Sequence, residues 1–262
     1  MLKVTVLLEN RKAKHADGLI CRPGLSLLIE DGITRILFDT GPDASFIRNA
    51  EKMGVSLDDV YWVVLSHGHY DHCGGLKHLH KLPKVLCHPG VYDHKYAGIK
   101  FFNHFIKIKK ISTQLPSVEN KFFLTKNPYE ISDRFIWSGE IQSVKSYGYV
   151  KRAKIDPDTL NDEGALIYKS EKGLVIFTGC GHKGLRNIIE HCKQLTGVST
   201  IYAVIGGMHL RHAMPWSLMS LRSYIKDVNP EQIFTCHCTG KWGKLWMPKA
   251  EAINTGDVKY LL

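Results

Sequence analysis

Ser66-His67-Gly68-His69-Tyr70-Asp71-His72 is the stretch that decides the reading of this chain. Between His67 and His72, six residues carry three imidazoles and a carboxylate. Crowding of that kind is unfavourable without a cation to offset desolvation, and this donor set suits zinc, iron, manganese or cobalt at neutral pH. The run follows Val60 to Leu65, whose nearly unbroken apolar character predicts a strand covered on both faces. Candidate ligands therefore stand at the mouth of a buried strand, where α/β sheets place their sites.

Working upstream, Lys3 to Glu9, Leu25 to Glu30 and Ile33 to Phe38 read as strands, with Asp31-Gly32 as a tight turn between the last two. Asp43 is placed to cap a helix running to about Met53. Downstream, a helix is expected from Asp71 toward Pro83, then a short strand from Val85 to Cys87. The closing third repeats the pattern. Strands are expected at Gly164 to Ser170, Leu174 to Phe177, Ile201 to Ile205 and Gln232 to Thr235, with helices from about Lys183 to Leu195 and from Pro215 to about Val228.

Each further candidate also follows a strand. Cys180 and His182 come after Phe177, His209 after Ile205 and His237 after Thr235. Strand ends of one sheet bring such residues to a common edge on rigid elements. His67, His69, Asp71, His72, Cys180, His182 and His237 exceed the needs of one tetrahedral ion, so two divalent ions are expected. Zinc is the first choice, with iron or manganese as alternatives. His209, after the flexible pair Gly206-Gly207, is placed to donate a hydrogen bond or a proton to a leaving group. Gly181, Lys183 and Gly184 open the following helix, and their N–H groups are candidates for a substrate phosphate.

Bulk composition bounds the rest. With 262 residues, 44% hydrophobic and 23% charged, the chain is an ordinary soluble composition. One domain spanning 1–262 is expected, with a basic aromatic insertion at about 88–157. No stretch approaches the roughly 20 apolar residues that span a bilayer, so no membrane association is expected. The seven cysteines, an odd number, argue against a disulfide scaffold and for a reducing cytoplasm. Net charge is +10, of which +7 lies between Val91 and Lys154, where 12 Lys or Arg face 5 Asp or Glu. A positive rim of that kind draws a small anionic substrate. Nucleic acid is not expected, because no motif that reads DNA or RNA is visible.

The Ser66 to Gly75 run resembles the His-x-His-x-Asp-His motif of the metallo-beta-lactamase superfamily. The resemblance implies an α/β fold, a four-layer αββα sandwich with two mixed sheets face to face. It also implies that His67 and His69 serve one ion, and that Asp71 and His72, completed by His237, serve the other. Asp39 resembles the aspartate that orients the histidine loop from behind. The superfamily's bridging aspartate is replaced by Cys180, a further candidate ligand, and its third first-site histidine is missing, which leaves His182 to compensate.

The runs Thr178 to His182, Gly206 to Leu210 and Cys236 to Gly240 resemble the branch that holds pterin-arylamine phosphate synthases beside metal-dependent hydrolases. The function expected on that basis is hydrolysis of a small phosphorylated or phosphodiester compound by metal-activated water, with His209 and Asp71 as catalytic residues. The alternative is transfer of a dihydropterin-methyl group to an arylamine with loss of diphosphate, in a pocket lined by the Phe101 to Phe135 region.

Overall fold

The structure is a computed structural model and describes residues 1–101, 104–116, 118, 120–142, 149–151 and 155–262. The chain opens with three antiparallel strands, β1 (Leu2–Leu8), β2 (Ser26–Glu30) and β3 (Arg35–Phe38). Helix α1 (Ser45–Lys52) then crosses to β4 (Trp62–Val64), which lies parallel to β3. The short helix α2 (Tyr70–Cys73) leads to β5 (Lys84–Cys87), parallel to β4.

The residues of the expected insertion are shared among three sheets. Strands β6 (His94–Phe101), β7 (His104–Lys110), β11 (Tyr149–Lys151) and β12 (Ile155–Pro157) form a separate sheet. Between them in sequence, β8 (Phe122–Leu124) joins the first sheet beside β5, while β9 (Tyr129–Glu130) and β10 (Phe135–Trp137) join the second.

The second sheet continues through β13 (Leu166–Ser170), β14 (Gly173–Thr178), β15 (Ile201–Gly206), β16 (Gln232–Thr235) and β17 (Ala250–Ala252), before β18 (Val258–Leu261) returns to pair with β1. Helices α3 (Leu185–Thr196) and α4 (Pro215–Val228) are the crossovers between β14, β15 and β16, all mutually parallel. Helix α5 (Gly240–Trp246) precedes β17.

Strand pleating builds the layers. In β3, Ile36 and Phe38 enter the core between the sheets, while Leu37 joins Phe46 and Ala50 of α1 outside. In β14, Val175 and Phe177 face inward, and Leu174 and Ile176 pack with Ile188, Ile189 and Cys192 of α3. Both faces of these strands are covered, hence their continuous apolar sequence. The architecture is the αββα sandwich, with two mixed sheets face to face.

The helix expected from Asp71 to Pro83 is far shorter. It ends at Cys73, and a single 3-10 turn, Leu76–His78, follows. The cause is tertiary: a Cβ at Gly75 would stand 2.1 Å from the Thr40 carbonyl oxygen, so this backbone is pressed against the loop after β3. That contact fixes the metal-motif loop to the strand end carrying Asp39.

Candidate metal centre

Loops after β4, β14, β15 and β16 deliver the candidate residues to one edge of the sandwich. Donor atoms of His67, His69 and His182 lie within 4.8 Å of one another, and a second group of the same compactness is Asp71, His72 and His237. In the first, ring centroids are 4.5 Å apart for His67 and His69, and 5.1 Å from each to His182. In the second, His72 Nε2 is 3.3 Å from His237 Nε2, which is 3.6 Å from Asp71 Oδ2. Cys180 Sγ lies 3.1 Å from His72 Nε2, and it also groups with His67 and His72, and with His237 and Cys238.

Hydrogen bonds on the far side of the rings fix which nitrogen faces the centre. Asp39 Oδ2 accepts from His72 Nδ1 at 2.6 Å and from the Ser66 hydroxyl at 2.7 Å, and Oδ1 accepts the Ser66 N–H at 2.7 Å. Since the Ser66 hydroxyl spends its proton on the carboxylate, its oxygen accepts from His67 Nδ1 at 2.9 Å. His237 Nδ1 donates to Asn10 Oδ1 at 2.8 Å. Every Nε2 so defined is turned inward. The Nε2 of His67, and likewise that of His69, is buried with no hydrogen-bond partner among the described residues. Buried ring nitrogens of this kind are costly unless something binds them, and the N, S and carboxylate donors fit a divalent transition ion.

The backbone is bent to suit. Asp39, His209 and His237 have φ of 57°, 49° and 50°, left-handed values uncommon for side-chain-bearing residues and concentrated at functional sites. The His237 N–H is held by the buried Glu9 carboxylate at 3.1 Å.

Electrostatics divide the two groups. Burial, reinforced by neighbouring imidazoles, holds His67 and His182 well below the usual histidine range, and burial brings His69 down to about 4. These three are neutral and ready to coordinate. Burial also opposes the charged form of His72, but Asp39 and Asp71 outweigh it and raise the ring to about 9. Burial acts against the Asp71 carboxylate, yet His72 and His237 hold it below the usual range.

A cavity of about 1080 Å³ opens over both groups. His69, Asp71, Cys180, His182, His209 and His237 line its floor, and the starts of α3 and α4 with the loop after β15 form its walls. His209 stands above the first group, its ring 4.3 Å from that of His182, and its N–H donates to Cys238 Sγ at 3.2 Å.

Two expectations are corrected here. The N–H groups of Lys183 and Gly184 are not available to a phosphate. The first donates to Glu163 at 2.6 Å and the second to the Gly181 carbonyl at 3.0 Å. The Lys183 ammonium is turned away too, donating to the Thr159 carbonyl at 2.9 Å. Nor does any described residue from the Phe101 to Phe135 region line the cavity. Phe135 is in the core between the sheets, Phe123 packs against it, and Phe102 lies outside the described residues.

Sequence reasoning missed Asn10, Glu9 and Glu163. Asn10 and Glu9 stand at the end of β1, far from any motif. Asp162-Glu163, adjacent carboxylates just before an apolar strand, were the one legible sign.

Fold and site together define a metal-dependent enzyme of the αββα class. The sequence profile of the metallo-beta-lactamase superfamily matches residues 19–183, and the chain belongs to that superfamily. It is 29% identical, over 91% of its length and 88% of the relative's, to the 7,8-dihydropterin-6-methyl-4-(beta-D-ribofuranosyl)-aminobenzene-5'-phosphate synthase of Methanocaldococcus jannaschii. It is 31% identical, over 90% of each chain, to an uncharacterized protein of the same organism. Among solved structures, it is similar to Tm1679, a metal-dependent hydrolase of the beta-lactamase superfamily. The TM-score is 0.85 at 25% identity, covering 100% of this chain and 99% of that one. Family membership implies divalent metal binding, and no helix among the described residues is long and apolar enough to cross a membrane.

Proposed function

We propose that this chain is a metal-dependent hydrolase of a small phosphorylated or phosphodiester compound, with His67, His69 and His182 around one ion and Asp71, His72 and His237 around a second. The observation that carries this reading is the pair of compact donor groups beneath one cavity, each reaching its floor, the first through His69 and His182 and the second through Asp71 and His237. The cavity's described lining includes Arg186, Arg211, His209 and His212, and Asp71 as its one carboxylate. Such a lining favours an anion.

Divalent ions bound there, zinc first, would activate water for attack and stabilise charge on phosphoryl oxygens. The protein's own residues supply the rest. Asp39 and Asn10 hold Nδ1 of His72 and His237, so that Nε2 is the nitrogen each ring presents to an ion. Cys180 adds a soft donor to the second group. Arg186 and Arg211 orient the anion from the cavity wall. His209 is the proton donor to the departing oxygen. Burial works against its charged form, but the Cys238 sulfur outweighs that and raises its pKa, favouring the protonated ring.

A second reading, transfer of a dihydropterin-methyl group to an arylamine, is favoured by the named relative and by the cavity's size. Met214 and Trp216 also line it at 51% and 67% exposure, and present apolar surface to an aromatic substrate. Zinc- or manganese-loaded protein incubated with bis-p-nitrophenyl phosphate separates the two from a parallel incubation with dihydropterin diphosphate and an arylamine. Nitrophenolate release supports hydrolysis, and a new pterin–arylamine product supports transfer. Neither product would sink both. In the hydrolytic case His209→Asn lowers kcat about 10²–10⁴-fold with little change in KM.

A further inference from the structure

The turn between β12 and β13 touches both loops that carry the first histidine group. Asp162 Oδ2 accepts the Gly68 N–H at 2.7 Å, and the Gly164 N–H donates to the Ser66 carbonyl at 2.9 Å. These bonds bracket His67 and hold the peptide that leads to His69. The neighbouring carboxylate, Glu163, accepts the N–H of His182 at 2.9 Å and that of Lys183 at 2.6 Å. Adjacent side chains on one turn thus grip the main chain beside all three histidines of that group.

Asp162 is 1% exposed, and a buried carboxylate is strongly unfavourable unless it is paired and hydrogen-bonded. Its counter-cation comes from the separate sheet. Lys95 of β6, also 1% exposed, places Nζ 2.6 Å from Asp162 Oδ1 and 3.1 Å from Asp158 Oδ2. The same sheet reaches the motif loop through its main chain. The Tyr70 N–H donates to the Ile111 carbonyl at 2.8 Å, and the Ile111 N–H donates to the Lys95 carbonyl at 2.9 Å. None of Lys95, Asp158, Asp162 and Glu163 lines the cavity, so their effect on chemistry runs through the histidines and not through substrate.

We propose that Asp162 and Glu163 are positioning residues that set the spacing of His67, His69 and His182. Lys95, by neutralising Asp162, makes the inserted sheet part of the frame of the first ion's site. Coordinating geometry is set by such outer hydrogen bonds, and their loss typically costs 10–100-fold in metal affinity. The inference rests on the metal-site reading above.

The test uses the full chain, stripped of metal and titrated with Co²⁺ alone, read by visible absorption and by competition with a chromophoric chelator. A His237→Ala background isolates the first group, and a His182→Ala background isolates the second. Asp162→Asn and Glu163→Gln are expected to weaken Co²⁺ binding about 10–100-fold in the first background, with an altered visible spectrum, and to leave the second background unchanged. Should Asp162→Asn fail to fold, Glu163→Gln and the charge-free pair Lys95→Met with Asp162→Asn carry the same comparison.

Unchanged affinity in the first background, even with a lowered melting temperature, overturns the proposal and reduces the turn to a structural brace. Equal losses in both backgrounds also overturn it. If the unmutated chain binds no Co²⁺ at all, the metal-site reading itself fails.

Discussion

Asp39 serves two histidines with one carboxylate, gripping His72 directly and His67 through the Ser66 hydroxyl. Replacing it with alanine frees both rings to rotate and leaves the Ser66 N–H without its acceptor. Asp39→Ala is therefore expected to lower metal affinity about 10–100-fold, measured by chelator competition. Protonation at the same point gives a pH prediction. His72 carries a proton up to about pH 9 in the metal-free chain, and that proton must leave before Nε2 can coordinate. Affinity of the second group should therefore rise at least tenfold per pH unit from pH 6 toward 9, the His72 proton giving tenfold and the Cys180 thiol, which burial holds protonated, adding to the slope when it coordinates. His69, with its pKa near 4, and His67 and His182, both held well below the usual histidine range, are already neutral there. The first group should bind with little pH dependence. Equal slopes for the two in Co²⁺ titrations would contradict this assignment.

Among the elements, β3 and β14 matter most, because each leads within two residues into a side chain at the centre, Asp39 after β3 and Cys180 after β14. Phe38 and Phe177 meet across the sandwich with ring centroids 6.4 Å apart, and both are fully buried. Phe177→Ala should cost about 3–5 kcal/mol, read as a lower urea midpoint with an unchanged slope. β14 was legible because its interior residues, Leu174 to Phe177, are all apolar, and β3 because Ile36, Leu37 and Phe38 follow the Asp31-Gly32 turn.

The segment from β8 to β10 was not readable. Its strands are two or three residues long, and β8 and β10 pair with partners distant in sequence, Phe122 beside Val85 and Trp137 beside Leu166. Local composition showed only lysine and aromatic residues. The helix expected after Asp71 failed because Gly74 and Gly75 lie against carbonyls of the Thr40 and Pro42 region, a contact no local pattern contains. At the centre, His67, His69, Asp71, His72, His182 and His237 were legible as residues that follow apolar runs. Asn10 was not, since 227 residues separate it from His237. The glycine-rich start of α3 carries the local pattern of an anion cradle, but Glu163 takes the Lys183 N–H and the Gly181 carbonyl takes that of Gly184.

On the scale of the whole molecule, the two sheets meet in a continuous core and carry the donor loops along one edge. Any ion bound there ties the first sheet's loop to the second's, and so stabilises the packed pair over the unfolded chain. Exhaustive chelation should lower the melting temperature, and a free ion concentration 100-fold above Kd should add about 2.7 kcal/mol. A melting curve indifferent to chelation and to added zinc would contradict that coupling.

The shared anchor at Asp39 also makes the edge vulnerable at one point. Its carboxylate is fully buried and already engaged by Ser66 and His72, so a single substitution there disturbs rings in both donor groups at once, where loss of Asn10 would reach His237 alone.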